Sequence, residues 1–292
     1  MHRRSRIVGL SLALVAVALG PHAALAASTT VDGRIAEAEA LFDRWRGPFD
    51  FAAYRVRLES AIDLWEAALP DLPADAIQTR SHVLNRLAQA WFELAEGYLE
   101  GKREREPAYE RSRDAALASL RLDPAFVATE RSDGFRAALR SAGDVAAIFW
   151  YGNGLGQWLS YHVFTALMGG VRDVHASFER SLELDESYEG GGPHRAMASF
   201  LTRASFLVGR SKDEAVAHFE RAIELAPNHL EARVSYAEFY AKPAEDWALF
   251  DSLLAETLAL ADDPLVLAAW PFYNSLSVGR AEALAEAREA AR

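Results

Sequence analysis

From Ile35 to Leu284 the sequence keeps returning to one pattern. Apolar residues recur three and four positions apart, in segments that glycine and proline cut at short intervals. Ile35, Ala38, Leu41, Phe42 and Trp45 form one such stripe; Leu84, Leu87, Ala88, Trp91, Leu94 and Ala95 form another. This spacing lines up side chains on one face of an α-helix, whereas a half-buried strand needs strict alternation. Alanine, leucine, glutamate and arginine dominate the segments, and all four favour helix. Breaks fall at Gly47-Pro48, Pro70 to Pro73, Gly101, Asp123-Pro124, Gly169-Gly170, Gly190 to Pro193, Gly209, Ala226-Pro227, Lys242-Pro243 and Asp263-Pro264. The pattern predicts an all-α chain of about ten helices joined by short turns.

A helix-ending motif recurs inside this pattern. It reads Ala118-Ser-Leu-Arg-Leu-Asp-Pro124, then Arg180-Ser-Leu-Glu-Leu-Asp-Glu186, then Arg221-Ala-Ile-Glu-Leu-Ala-Pro227. In the last copy Ala215, Phe219, Ala222 and Pro227 occupy the small, aromatic, small and proline places of the second helix of a tetratricopeptide repeat. A small residue lets two helices of a hairpin approach, the aromatic fills the space beside it, and proline ends the helix. The middle copy keeps Phe178 and Ser181 but has Glu186 in place of proline; the first keeps Ser119 and Pro124 but has Ala116 in the aromatic place. The copies are unevenly spaced, so extra helices must sit between hairpins. The expected architecture is a compact, irregular array of tetratricopeptide-like hairpins, forming a single domain over residues 27–292.

Residues 1–26 read as a cleavable signal peptide. Arg3, Arg4 and Arg6 precede a charge-free apolar run from Ile7 to Leu19, Gly20-Pro21 breaks it, and Ala24-Leu25-Ala26 offers a small-x-small cleavage site. The run is shorter than the roughly 20 residues that span a bilayer. No second long apolar segment follows, so the reading is a periplasmic protein with no stable membrane span after cleavage. Removing the three arginines takes the formal charge from -11 to -14. Such an acidic chain is a poor match for nucleic acid or an anionic membrane surface. With no cysteine at all, disulfides, thiolate metal ligands and a lipid attached through an N-terminal cysteine are ruled out.

Two segments stand out as candidate sites. The first is Ile148-Phe-Trp-Tyr-Gly-Asn-Gly-Leu-Gly-Gln-Trp-Leu-Ser-Tyr-His162. Its glycines do not match a dinucleotide loop: Gln157 stands where the third glycine is needed, and no β-α-β context surrounds it. The better reading is a helix whose glycines admit neighbouring backbones while large aromatics stand on other faces. Trp150, Tyr151, Asn153 and Trp158 are then either core packing or the wall of a ligand cavity. The second is Tyr188-Glu-Gly-Gly-Gly-Pro-His-Arg195, an irregular turn before a helix starting near His194. There, free N–H groups with Arg195 and His194 are suited to a carboxylate; a plain inter-hairpin turn is the alternative. No His-Glu-x-x-His pair, Gly-x-Ser-x-Gly elbow or assembled nucleophile and base is present. Neither catalysis, a metal nor a cofactor is expected.

These segments resemble the T component of TRAP transporters. The resemblance is carried by Trp150-Tyr151, Asn153, Leu155-Gly156 and Trp158, by Phe178 to Asp185 leading to Tyr188 and Gly192-Pro193-His194, and by His218 to Leu225 followed by Val234 to Ala241. It extends to Asn274, Arg280-Ala281 and Leu284, and covers the chain from about residue 34 onward. It implies a tetratricopeptide-like helical protein, a soluble trimer whose protomers each carry a pore or cleft, and binding to the periplasmic solute-binding P component. It also implies a hydrophobic ligand; taken with the two candidate segments, the reading is a hydrophobic or organic-acid ligand with Trp150, Tyr151, Asn153, Trp158, His194 and Arg195 as cavity residues. A general periplasmic scaffold for protein–protein interaction, without a small ligand, is the alternative.

Overall fold

The computed structural model describes residues 30–43 and 49–291. The signal-peptide segment 1–26, Trp45 of the first stripe and the Gly47-Pro48 break lie outside the described residues. Every regular element among the described residues is helical. The N-terminal half holds α1 (Val31–Asp43), α2 (Phe51–Ala68), α3 (Ile77–Tyr98), α4 (Gly101–Leu120), α5 (Pro124–Asp133), α6 (Phe135–Ser141) and α7 (Val145–Leu159). A three-residue turn, α8 (Val163–Thr165), leads to α9 (Val171–Leu184), α10 (Tyr188–Ala204), α11 (Glu214–Leu225) and α12 (Glu231–Tyr236). The chain ends with α13 (Trp247–Ala261), α14 (Pro264–Ala269) and α15 (Pro271–Ala290).

Fourteen of these helices have six residues or more, against the ten or so read from the sequence. The surplus comes from breaks with weak signals. Gly134, at φ 87°, separates α5 from α6. Trp270 leaves helical geometry just before Pro271, which opens α15. Elsewhere the punctuation acts as read. Asp123 and Asp263 each cap a helix whose first residue is proline, accepting from the N–H of Ala125 and Leu265 at 2.8 Å. Asp144 caps α7 through the Ala147 N–H at 3.0 Å. Such caps satisfy donors that the first helical turn leaves free.

Consecutive helices pack side by side as pairs: α1 with α2, α3 with α4, and α10 with α11. Helix α7 lies at the centre, against α3, α4 and α9. Its glycines explain how. A Cβ at Gly154 would stand 2.7 Å from the Arg113 backbone nitrogen, and one at Gly152 would stand 2.8 Å from the Phe178 ring. Only glycine lets α4 and α9 come this close. The glycine-aromatic segment is therefore a helix, as expected.

Around α7 is the main core, containing Phe149, Trp150, Tyr151, Phe178, Phe219 and Phe250. The repeat positions Ala215, Phe219 and Ala222 are all buried in α11, and Phe219 stacks on Tyr236 at 4.9 Å. A second core at the N-terminal end gathers Leu58, Trp65, Leu87 and Leu94 with Phe272 of α15. The last helix thus closes against the first ones. Asn274 fixes its start. It is fully buried, accepts from the Leu230 N–H at 2.9 Å, and donates to the carbonyls of Asn228 and Val266, each at 2.8 Å.

Candidate ligand cavity

A cavity of about 660 Å³ lies between α3, α4, α7, α9, α10, α12 and α15. That is within the size range of small-molecule sites. Helical periodicity aims the walls. On α10, Gly192, Arg195, Ala196, Ser199, Phe200 and Arg203 face inward, a run of three- and four-residue steps along one face. On α7 the inward residues include Phe149, Trp150, Asn153 and Gln157. Phe92 and Glu96 come from α3, Arg105 and Tyr109 from α4, and Tyr273 and Arg280 from α15. Nine aromatic and eight charged side chains share the lining, and four of the charged groups stand as two ion pairs, Arg195–Glu231 and Arg280–Glu238.

The turn that opens α10 shapes one end. Glu189, Gly190 and Gly191 adopt left-handed backbone, with φ of 48°, 60° and 76°, before Pro193 starts the regular helix. Gly192 is tight for another reason: a Cβ there would stand 2.8 Å from the Phe149 ring.

The four arginines and four glutamates of the lining are not equally engaged. Arg195 is buried; it donates to Glu231 at 3.1 Å and to the carbonyls of Glu189 and Gly190 at 3.0 and 2.6 Å. Arg280 forms an ion pair with Glu238. Glu96 accepts from the Tyr109 hydroxyl at 2.8 Å and from Gln157 at 3.0 Å, and burial raises its carboxyl above the usual range. Burial also raises Glu189. Arg105 donates to the Leu99 carbonyl at 2.7 Å. Among the described residues Arg203 makes one hydrogen bond, from Nε to the Ser199 carbonyl of its own helix at 3.2 Å, and its guanidinium lies 4.9 Å from the Phe239 ring centre. The protein around it lowers its pKa by desolvation.

Of the six residues singled out in the sequence, Trp150, Asn153 and Arg195 line this cavity. Trp150 donates to the Tyr188 hydroxyl at 3.2 Å, and Asn153 to the Phe149 carbonyl at 2.9 Å. The other three stand elsewhere. Tyr151 is buried against Phe135, 4.9 Å between ring centres. Trp158 stacks on His162 at 3.7 Å, with the Arg113 guanidinium 4.5 Å from its ring centre. The Nδ1 atoms of His194 and His218 are 2.8 Å apart, and His194 Nε2 is 3.0 Å from Glu186. Desolvation and the neighbouring His194 push His218 down to about 4. The turn before α10 brings Arg195 to the cavity but occupies its donors with partners.

Arg203, Glu96, Tyr109 and Phe92 were not singled out in the sequence. Each sits on an ordinary amphipathic helix with no local irregularity to mark it. Arg280 carried a signal only as part of the family-like C-terminal run.

A sequence model of the TRAP transporter T-component family matches residues 94–290. This chain belongs to that family. The match covers every cavity-lining residue but Phe92, and leaves α1 and α2 outside it. No curated protein matches the sequence. As a T component the chain is an accessory part of a TRAP transport system, a family of transporter components and not of enzymes. Among the described residues no helix is long and apolar enough to cross a membrane.

Proposed function

We propose that this T component is a periplasmic accessory protein that binds the solute-binding P component and holds a hydrophobic or organic-acid ligand in the central cavity. Its domain, residues 27–292, is exported on the 1–26 signal peptide, works without lipid attachment and performs no catalysis. The helical hairpins act as tetratricopeptide-like units, and copies of the chain assemble as a homotrimer. The observation that carries the ligand reading is the cavity itself. It has a ligand-sized volume, aromatic walls, and charged groups drawn from α3, α4, α10, α12 and α15.

Support for partner docking comes from the turn between α7 and α9. Val163, Phe164, Leu167 and Met168 are each at least 64% exposed, while Ala166 between them lines the cavity. Contiguous apolar side chains facing solvent mark interaction surfaces. Here they border the place where a ligand would pass between partners. A scaffold for protein–protein interaction without a small ligand would share such a docking face; the ligand-sized cavity is what favours the ligand-holding reading over it.

The test pairs two measurements on the purified chain and a TRAP P component from the same organism. The expected result is saturable binding of the P component, weakened at least tenfold by Leu167→Glu with Met168→Glu in a protein of unchanged circular dichroism. Wild-type affinity in that variant overturns the docking face. A folded wild-type chain that binds no P component overturns the accessory role.

A further inference from the structure

Four arginines reach the cavity, and their partners differ. Arg195 and Arg280 are each held by a carboxylate, Glu231 and Glu238. Arg105 and Arg203 have no carboxylate of the described residues within ion-pair distance, and each engages only Nε, with the carbonyl of Leu99 and of Ser199 in turn. Of the two, Arg203 has an aromatic ring, Phe239, 4.9 Å from its guanidinium. It is also an exposed residue that lines the cavity. A guanidinium whose remaining donors are not taken up by the protein is free to bind an acceptor on a ligand. Its Nη donors form a planar fork suited to two parallel bonds from a carboxylate.

The neighbouring groups narrow the ligand further. The Phe239 ring centre lies 4.9 Å from the Arg203 guanidinium and 5.6 Å from that of Arg280. Phe92, Phe149, Trp150, Phe178 and Phe200 offer apolar surface for the rest of a molecule. Arg195 and Arg280 are already neutralised by Glu231 and Glu238, and Glu96 and Glu189 face the same space, so a head group with one negative charge, matched to one guanidinium, fits better than one with two or more.

We infer that the cavity binds an amphipathic monocarboxylate, with its carboxylate held by Arg203 and its apolar body against the aromatic wall. This rests on the reading of the cavity as a ligand site and adds the class of ligand and the residue that recognises it. Arg195, the arginine the sequence points to, serves instead as a buried brace that joins α10 to Glu231 of α12.

The experiment uses phenylbutyrate, phenylbutanol and the phosphate monoester of phenylbutanol as probes. Each is titrated calorimetrically into the full mature chain, into Arg203→Gln and into Arg203→Lys. A charge-assisted bidentate contact is worth about tenfold to a hundredfold in affinity. The wild-type chain is expected to bind the acid at least tenfold more tightly than the alcohol or the phosphate. Arg203→Gln should abolish that preference while leaving the alcohol unchanged, and Arg203→Lys should restore part of it. Equal binding of acid and alcohol, or a preference that survives Arg203→Gln, overturns the anchor while leaving the cavity reading in place. A phosphate that binds best overturns the monocarboxylate class. If no probe binds the folded wild-type chain, both the ligand reading and this inference fall. Because Arg203 is exposed, its variants should fold; circular dichroism and the retained alcohol affinity check that they do.

Discussion

Glu93 makes the stability of this protein depend on pH in an unusual direction. It lies on α3, only 2% exposed, between the N-terminal core and the last helix. Its carboxyl accepts from the Tyr54 hydroxyl of α2 at 2.9 Å, the Tyr273 hydroxyl of α15 at 3.0 Å and Gln89 at 3.0 Å. Those three bonds favour the charged form, but burial outweighs them and pushes the pKa from the ordinary 4.5 to about 7. Between these two values the folded chain holds a proton that the unfolded chain has released. Stability therefore falls as pH rises from about 4.5 to about 7. At about 1.4 kcal/mol per pH unit, the interval amounts to roughly 3 kcal/mol. Glu93→Gln has no such proton to lose. The assay is urea unfolding followed by circular dichroism from pH 4.5 to pH 8, for the wild type and the variant. The difference between the two curves removes the contribution of all other titrating groups. It should shift by roughly 3 kcal/mol in favour of Glu93→Gln as pH rises, or by about 6 °C or more in melting temperature for a chain of this size. Parallel curves across this range would refute the reasoning, because they would show that Glu93 is charged, or solvated, in the folded protein throughout.

Other substitutions test the packing and the cavity. Asn274→Ala should cost roughly 2–4 kcal/mol in urea unfolding, since it leaves the buried Leu230 N–H and two carbonyls without their partner. Gly154→Ala should cost about 1–3 kcal/mol by the same assay, because the added methyl meets the α4 backbone. Trp150→Phe should weaken phenylbutyrate binding by about fivefold, roughly 1 kcal/mol, while Trp158→Phe leaves it unchanged, since only Trp150 lines the cavity. Equal effects of the two would show that the probe binds elsewhere.

The helical class, the caps and most breaks could be read directly, because each depends on residues within one or two turns. Asp123-Pro124 and Asp263-Pro264 announce helix starts, and three successive glycines before Pro193 announce a backbone that L-residues resist. The packing role of Gly152 and Gly154 was legible for the same reason: glycines at turn spacing in an aromatic helix leave room for neighbours. What could not be read is which inward faces meet. Trp150 and Tyr151 are adjacent in sequence, yet one reaches the cavity and the other faces Phe135. Helical geometry turns adjacent residues about 100° apart, and only the arrangement of distant helices decides which direction is hollow. Arg195 looked like an anion site because its partners, Glu231 and two backbone carbonyls, are invisible without the fold. Arg203 carried no sign, because nothing local says that α10 borders a cavity. Glu93 gave no sign, since its hydroxyl partners lie 39 and 180 positions away.

Native mass spectrometry of the chain, purified from its native source without detergent, tests the ligand-holding role most directly. The account predicts a small organic molecule bound one per protomer, released on unfolding, and lost from a Ser199→Trp variant that fills the cavity but keeps its helical content. A folded wild-type chain that carries no such molecule, and takes up none from a periplasmic extract, contradicts it.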